Sequence, residues 1–207
     1  MIAGIILAAG SARRMGQLKQ LLPLSGKPMV WHVANAACQS RLDSVLLVTG
    51  AGSEDVASAL QDLPVAISYN ENWAYGQAGS ILAGIRGLAA EPEAVLFLLA
   101  DQPLITPALI NALIDTYHTS GQSIICPVYG AQRGNPVLFG WKEWKNALST
   151  LSGDQGARLL ITAHPEAVCP MEVDSVEFFR DVDTADDYRR MCDSFLHRDT
   201  LLQNEGQ

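Results

Sequence analysis

Three cations follow closely on the first apolar run of the sequence. Arg13, Arg14 and Lys19 lie within seven residues of a chain whose formal net charge is −8. The residues just before them are small or apolar, so a ligand can approach the backbone N–H groups there: Leu7, Ala8, Ala9, Gly10 and Ser11. Cations neutralise phosphate charge that backbone dipoles alone leave uncompensated. The pattern predicts a phosphate-binding loop in which Arg14 and Lys19 carry the positive charge.

The spacing of the glycines separates this loop from two well-known phosphate-binding loops. Gly10 and Gly16 have five residues between them, and Gln17 follows. A dinucleotide-binding loop needs G-x-G-x-x-G, and a Walker A loop needs G-x-x-x-x-G-K-[ST]. The sequence therefore excludes both. A glycine turn surrounded by solvated cations is the structural alternative.

Acidic residues at two later positions could bind a metal ion. Asp101 directly follows the apolar run of residues 94–100, so its carboxylate is expected at a strand end, in the same crevice as Gly10. Mg²⁺ binds few carboxylates together with phosphate oxygens, and Asp181 or Asp183 could supply the second one. The structural alternatives are a turn aspartate at 101 and, at 183, a residue beside the helix cap Thr184.

The elements that must position these groups alternate along the chain. Short apolar runs rich in Val, Ile and Leu are typical of strands buried on both faces, and they occur at residues 3–9, 44–49, 65–69 and 94–100. Helical patterns lie between or after them, at residues 28–39, 53–61, 78–90 and 107–120. We therefore predict an α/β fold in three layers, with a doubly wound, mostly parallel sheet.

Single residues are expected to mark several helix ends. Ser53 should cap the second helix, Thr106 and the following proline should begin the fourth, and Gly121 should end it. Thr184 starts the last helix with a capping-box pattern. We predict one domain over residues 1–195. Residues 196–207 lack sustained periodicity, which predicts a flexible C-terminal tail.

The overall composition excludes several classes of function. Apolar residues make up 48% of the 207 residues and charged residues 17%, which is typical of globular proteins. The acidic excess would repel nucleic acids and anionic membranes, because binding to them depends on neutralising phosphate. The positive residues follow the first apolar run, which reverses the order of a signal peptide. We expect a cytoplasmic protein that binds neither nucleic acid nor membrane.

Six motifs in order resemble one enzyme family. They are "LAAGSARRMGQLK" from Leu7, "NENWAYGQAGS" from Asn70, "LLADQP" from Leu98, "RGNPVLF" from Arg133, "GDQGAR" from Gly153 and "DVDTADDY" from Asp181. The set is similar to molybdenum cofactor cytidylyltransferases, which belong to the MobA-like nucleotidyltransferases. Ala12 and Arg13 depart from the small residue and serine usual before the arginine. The resemblance covers the chain to about residue 192.

The resemblance implies a Rossmann-like nucleotidyltransferase fold and a specific reaction. The phosphate of molybdenum-loaded molybdopterin attacks the α-phosphorus of CTP, which gives the cytosine dinucleotide cofactor and pyrophosphate. Arg14, Lys19 and Asp101 are then the catalytic residues, and Asp101 and Asp183 hold Mg²⁺ or Mn²⁺. Asp181 stays open as the alternative metal ligand. A client molybdoenzyme is a further partner that the resemblance allows.

The resemblance also assigns contacts to the nucleotide. Asn72, Gly76 and Ser80 would bind the nucleobase and ribose, in addition to the residues of the first loop. The alternative is a capped helix with Trp73 and Tyr75 packed on the sheet. CTP is expected over GTP, because guanylyl-transferring relatives tend to have a second glycine where Ala9 stands.

The acceptor is expected on the second half of the crevice. Its phosphate needs cations that an acidic chain rarely supplies, and Arg133 and Arg158 are the candidates outside the first loop. The neighbouring residues suit a flat ligand or an anion: Gly134, Asn135, Pro136 and Asp154. The alternative is a pair of structural turns, with Arg158 in a salt bridge.

Three other functions stay open at this point. A nucleotidyltransferase that uses GTP or a sugar phosphate would share the fold and the triphosphate loop. A carrier that binds nucleotide or cofactor without catalysis would release no pyrophosphate. An NAD-dependent oxidoreductase is disfavoured by the missing glycine spacing.

Overall fold

A computed structural model describes residues 1–10, 18–154 and 156–205, with side chains up to residue 197. The strands are β1 (Ile2–Ala8), β2 (Pro23–Leu24), β3 (Lys27–Pro28), β4 (Ser44–Thr49), β5 (Ala66–Tyr69), β6 (Ala94–Leu99), β7 (Ile124–Tyr129), β8 (Gln132–Arg133), β9 (Val137–Gly140) and β10 (Val168–Glu172). The α-helices are α1 (Met29–Cys38), α2 (Ser53–Ser58), α3 (Gln77–Arg86), α4 (Pro107–Ser120), α5 (Trp141–Ser149), α6 (Arg158–Ala163) and α7 (Ala185–Glu205).

The main sheet has the order β10-β7-β9-β6-β1-β4-β5, and β8 pairs with β7. β1 lies between β6 and β4 and is parallel to both. β9 is antiparallel to its neighbours β6 and β7. The predicted doubly wound, mostly parallel sheet is therefore confirmed, and β9 and the short β8 are antiparallel to their neighbours.

Helices cover both faces of the sheet. On one face, Val33 of α1, Val56 of α2 and Ile110 of α4 belong to the same apolar cluster as Ile6 of β1. The opposite face carries α3, α5 and α6, with residues such as Ile81 and Trp144 in a second apolar cluster. Burial on both faces explains why β1, β4 and β6 are continuous apolar runs. The three-layer prediction is confirmed.

The fourth helix begins and ends where the sequence predicts. Thr106 Oγ1 accepts a hydrogen bond from Leu109 N at 3.2 Å, Pro107 is the first helical residue, and Gly121 follows the last turn with φ +70°. These signals were decisive because each satisfies or avoids a backbone group that a helix end leaves unpaired. The expected cap Ser53 is different: it is the first residue of α2, and its hydroxyl contacts Thr49 Oγ1 at 2.8 Å.

The capping box at the last helix is confirmed, but the helix is longer than predicted. Thr184 Oγ1 accepts from Asp187 N at 3.1 Å, and Asp187 Oδ2 accepts from Thr184 N at 2.8 Å. α7 then continues to Glu205, whereas the sequence predicts a flexible tail from residue 196. Its first part packs through Met191 and Phe195 on the small β2–β3 sheet. Among the residues described, no helix is long and apolar enough to cross a membrane.

Candidate active site

A cavity of about 440 Å³ lies at the carboxyl ends of β1 and β6. It is lined by Leu7, Ala8, Ala9, Gly10, Lys19, Gln20, Trp73, Ala74, Gly76, Gln77, Ser80, Leu99, Ala100, Asp101 and Asp154. Ligands of such sheets bind beyond the strand ends, where loops leave space between neighbouring strands. Most of the residues predicted for nucleotide and catalysis therefore meet in one place, which we call the nucleotide pocket.

Lys19 joins two acidic residues at this pocket. Its Nζ donates to Asp101 Oδ2 at 2.6 Å and to Asp183 Oδ1 at 2.7 Å. The three residues are separated by up to 164 positions in the chain, so only the fold brings them together. The lysine and Asp101 are each about one-fifth exposed. The geometry supports the pairing of Asp101 with Asp183 that the resemblance implies.

The charges at this point shift two pKa values. Burial would lower the pKa of Lys19, but the charges of Asp101 and Asp183 and their hydrogen bonds outweigh it, so the pKa is raised. Desolvation, together with repulsion by Asp101 and Asp183, raises the pKa of Asp181. The cluster is therefore rich in negative charge, and the lysine ammonium is the cation that the two nearest carboxylates share.

The donor set fits a divalent ion bound together with phosphate. Each carboxylate uses one oxygen for Lys19, and the second oxygen accepts no hydrogen bond from any residue described. The described side chains include no group of three or more metal-ligating residues. Mg²⁺ typically keeps one or two carboxylates and takes substrate phosphates for the rest. Asp101 and Asp183 could hold Mg²⁺ or Mn²⁺ in this way.

Two buried amide side chains that the sequence analysis missed support the pocket. Gln20 is 3% exposed and donates to Ala8 O at 3.2 Å and to Gly10 O at 3.4 Å. Asn70 donates to Ser80 Oγ at 3.1 Å. The predicted ligand Ser80 is thus buried and already accepts a hydrogen bond. Each amide fixes a part of the wall that the ligand would face.

The loop of residues 70–77 combines the two predicted roles. Trp73 lines the nucleotide pocket and also packs on Gly50, where an added Cβ would come within 2.6 Å of the Trp73 Cβ. Tyr75 is 80% exposed, so the structural alternative, in which this ring packs on the sheet, is wrong for Tyr75. Gly76 lines the pocket, whereas the predicted ligand Asn72 is exposed and does not line it.

A second, larger cavity of about 1100 Å³ lies beside the first. It is lined by Leu7, Gln77, Ile81, Phe97, Leu99, Cys126, Ala131, Gln132, Arg133, Gly134, Asn135, Val137, Phe139, Asp154, Ala157, Arg158, Leu159, Ile161 and Thr162. We call it the acceptor groove. Leu7, Gln77, Leu99 and Asp154 line both cavities, so the two cavities are direct neighbours.

Five of the six predicted acceptor residues line this groove, and Pro136 does not. Arg133 and Arg158 are exposed, and neither guanidinium has an ion pair with a residue of the described ranges. The salt bridge of Arg158 that the structural alternative requires is therefore absent from those ranges. Arg158 is the first residue of α6.

Glycine is required at position 134 for a different reason from the one predicted. An added Cβ would lie 2.0 Å from Cδ1 of the Phe179 ring, so the protein itself fills the space expected for a flat ligand. Gly134 lines the groove but is required for internal packing.

Gly153, Asp154 and Gly156 lie beside the start of α3. Gly153 O accepts from Ala78 N at 3.2 Å, and a Cβ on Gly76 would meet Asp154 Oδ1 at 2.4 Å. Asp154, predicted for the acceptor alone, consequently stands between the two cavities. Ser11 and Arg14 lie outside the described residues, so their predicted roles stay predictions.

Comparison with known proteins agrees with this geometry. Residues 4–168 match the family described as the MobA-like NTP transferase domain. The chain belongs to this family. Membership in the MobA-like family makes it a nucleotidyltransferase, and the nucleotide pocket at the ends of β1 and β6 is its candidate active site.

Curated relatives of the MobA-like chain have diverse names. It is 29% identical over 198 residues to nicotine blue oxidoreductase of Paenarthrobacter nicotinovorans, covering 92% of this chain and 96% of that one. It is 30% identical to the purine catabolism protein PucB of Bacillus subtilis, covering 90% and 94%. It is also 30% identical to the bifunctional protein GlmU of Shouchella clausii over 79% of this chain, but spans only 34% of GlmU.

Solved structures share the fold over nearly the full length. Rv0371c of Mycobacterium tuberculosis H37Rv has a TM-score of 0.80 at 28% identity and covers 93% of this chain and 98% of its own. The same protein was also solved in complex with manganese, with a TM-score of 0.77. A nucleotidyl transferase of Methanothermobacter superposes with a TM-score of 0.83 at 24% identity, covering 96% and 99%, which shows the fold alone.

Proposed function

We propose that this MobA-like nucleotidyltransferase transfers CMP from CTP to the phosphate of molybdenum-loaded molybdopterin. The products are the molybdopterin cytosine dinucleotide and pyrophosphate. The observation that carries the proposal is the shared wall of the two cavities, with the Lys19–Asp101–Asp183 cluster on the nucleotide side. A phosphate acceptor in the groove would lie directly beside a triphosphate in the pocket.

The main chain and Lys19 hold the triphosphate in this proposal. Gly10 and the small residues Ala8 and Ala9 line the pocket, and within the described part of the chain an added Cβ at Gly10 would meet no atom closer than 4 Å. Lys19 and Arg14 offset the charge that develops on the departing pyrophosphate. Such positioning and charge neutralisation supply most of the rate gain in phosphoryl-type transfers.

The acceptor needs no general base, because it is already a phosphate. One of its oxygens attacks the α-phosphorus, and the bond from that phosphorus to the bridging oxygen of pyrophosphate breaks. When bound to Asp101 and Asp183, Mg²⁺ or Mn²⁺ supplies further neutralisation of the triphosphate. Arg133 and Arg158 bind the acceptor's anionic groups from the far side of the groove, and the apolar wall with Phe97 takes its ring system.

The test measures pyrophosphate released from each of the four nucleoside triphosphates, with and without molybdenum-loaded molybdopterin. We expect release with CTP only when the acceptor is present. Preference for GTP, or release with a sugar phosphate as acceptor, would replace the donor or the acceptor. Binding of CTP and Mg²⁺ without any release would favour a carrier. The matched control is the Asp101→Asn variant, which keeps the pocket and removes one carboxylate charge.

The oxidoreductase name of one relative favours a second candidate, a redox reaction with a nicotinamide cofactor. The first loop has Gly10 and Gly16 in place of the three-glycine fingerprint for such cofactors, so we rank this reaction below nucleotidyl transfer. The same preparation can be tested for NADH and NADPH binding by fluorescence. Binding that CTP does not displace would support the second candidate.

A further inference from the structure

A buried amide follows Asp101 directly in the chain. Gln102 is 4% exposed, and its Nε2 donates to Phe179 O at 3.1 Å across 77 positions of sequence. Its Oε1 is buried and accepts no hydrogen bond from the residues that the structure describes. The side chain therefore connects the turn that carries Asp101 to a distant segment through one hydrogen bond.

That distant segment carries the second carboxylate. Phe179 lies four residues before Asp183, and between them Val182 is fully buried in a cluster with Leu104 and Met191. The segment is thus fixed at both ends, by the Gln102 bond at Phe179 and by the Lys19 contact at Asp183. The distance between the two carboxylates depends on both anchors.

The Phe179 ring packs against Gly134, which lines the acceptor groove. Three of its ring atoms would lie between 2.0 and 2.4 Å from a Cβ at position 134, so only glycine allows this contact. Gly134 N in turn donates to Pro127 O at 2.9 Å and is held against β7. One continuous set of contacts therefore runs from the groove wall to the carboxylate pair.

Burial alone does not account for a glutamine at position 102. An apolar side chain of similar size would leave no unpaired buried acceptor of its own, but it could not donate to the Phe179 carbonyl. What the glutamine provides is a directional bond to a backbone carbonyl, which fixes where residue 179 lies relative to residue 101. A requirement for placement, and not for burial, explains the residue type.

We propose that Gln102 is a positioning residue that fixes the Asp101 and Asp183 carboxylates in their places beside Lys19. The packing of the Phe179 ring on Gly134 holds the other end of the same connection. This proposal rests on the proposed function only in that it takes the two carboxylates to be catalytic. Gln102 itself touches neither substrate in this scheme. It acts through the backbone of Phe179.

The experiment compares Gln102→Met, which keeps the length and apolar volume but cannot donate, with Ser68→Ala as the matched control. Ser68 also donates to a backbone carbonyl, that of Ala83 at 3.1 Å, in a region far from the carboxylates. Solvent exchange of the Lys19 ammonium protons, followed by NMR and assigned with Lys19→Arg, reports directly on the carboxylate pair. We expect exchange to speed up about tenfold in Gln102→Met and to stay unchanged in Ser68→Ala.

Activity gives the second readout. We expect kcat to fall about tenfold to a hundredfold in Gln102→Met, with KM for the nucleotide within about twofold of the original, because misplacement acts on the reaction step. Ammonium exchange and kcat equal to those of Ser68→Ala would overturn the proposal. Phe179→Leu, which keeps the carbonyl but loses the packing of the ring on Gly134, should show a smaller effect of the same kind if Gln102→Met does not fold.

The two proposals fail in different ways. A chain that releases no pyrophosphate from any nucleoside triphosphate contradicts the proposed function, while the Lys19 exchange still decides the role of Gln102. Full activity of Gln102→Met with unchanged exchange contradicts only the positioning role.

Discussion

The nucleotide pocket and the acceptor groove are neighbours with opposite construction. The pocket is bounded by the parallel strands β1 and β6, and its charged residues Lys19 and Asp101 are paired with each other. The groove is bounded by the antiparallel β7–β9 region and α6, and its arginines lack ion pairs within the described ranges. Paired charges suit a site that must be pre-organised for reaction, whereas free cations suit recognition of an anionic ligand. Substitutions in the pocket should therefore lower kcat, whereas substitutions in the groove should raise KM for the acceptor.

The largest effect is expected from Asp101→Asn. The change removes the carboxylate charge beside Lys19, so kcat should fall by about 10²–10³ while the fold is kept, because the side chain contributes little to the core. Pyrophosphate release and a thermal melt measure the two quantities. Asp115→Asn, an exposed carboxylate on α4, is the control. Turnover equal to the original would contradict the assignment of Asp101.

A smaller loss is expected from Lys19→Ala, and the same from Arg14→Ala. If these cations meet the pyrophosphate as its charge develops, kcat should fall by about 10² and nucleotide affinity should change less. Steady-state kinetics and equilibrium titration with CTP separate the two. An equal loss of affinity with unchanged kcat would place them in ground-state binding, and the comparison of the two regions would then lose its basis. Lys145→Ala serves as the control, since Lys145 pairs with Glu91 on the surface.

Arg133→Ala and Arg158→Ala test the acceptor groove. Each change removes a charged hydrogen-bond donor for the acceptor, worth about 1.5–3 kcal/mol, so KM for the acceptor should rise roughly tenfold or more. CTP binding should be nearly unchanged. Separate titrations with CTP and with molybdenum-loaded molybdopterin test this, with Arg86→Ala at the end of α3 as the control. Weakened CTP binding with normal acceptor saturation would reverse the assignment of the two cavities.

The smallest effect is expected from Ala9→Gly. Ala9 places a methyl group where guanylyl-transferring relatives tend to have glycine, and a difference this small shifts the preference between CTP and GTP by about 1–3 kcal/mol. Ala9 is only 3% exposed and packs in the core under α3, so we expect the lower end of that range. The ratio of kcat/KM for CTP and GTP should move toward GTP by about fivefold. A ratio that stays the same would remove Ala9 from donor selection.

The sequence predicts most of the fold because its signals are local. Thr106, Pro107 and Gly121 satisfy the needs of one helix end each, and buried strands need continuous apolar runs. The direction of β9 could not be predicted, because four buried residues have the same pattern in a parallel and an antiparallel strand. Ser53 misled for a related reason: a serine can cap a helix or bond a neighbouring strand, and only the fold brings Thr49 close enough to decide.

The site was predicted where charge and strand ends coincide, as for Lys19 and Asp101. It was missed where a single buried amide matters, as for Gln20 and Gln102, since one polar residue in an apolar stretch does not show its distant partner. The carbonyl of Phe179 is 77 positions away from Gln102. Gly134 was assigned to a ligand because its packing against Phe179 depends on tertiary contact alone.

The shared wall of Leu7, Gln77, Leu99 and Asp154 has a consequence for the end of the reaction cycle. In the proposed reaction the product joins the CMP part of the donor to the acceptor. It therefore occupies both cavities at once and gains from contacts in both through a single covalent linkage. Such a ligand leaves more slowly than either substrate. The product would then compete with both substrates for binding to the chain. Transfer of the finished cofactor to a recipient would limit the rate of turnover.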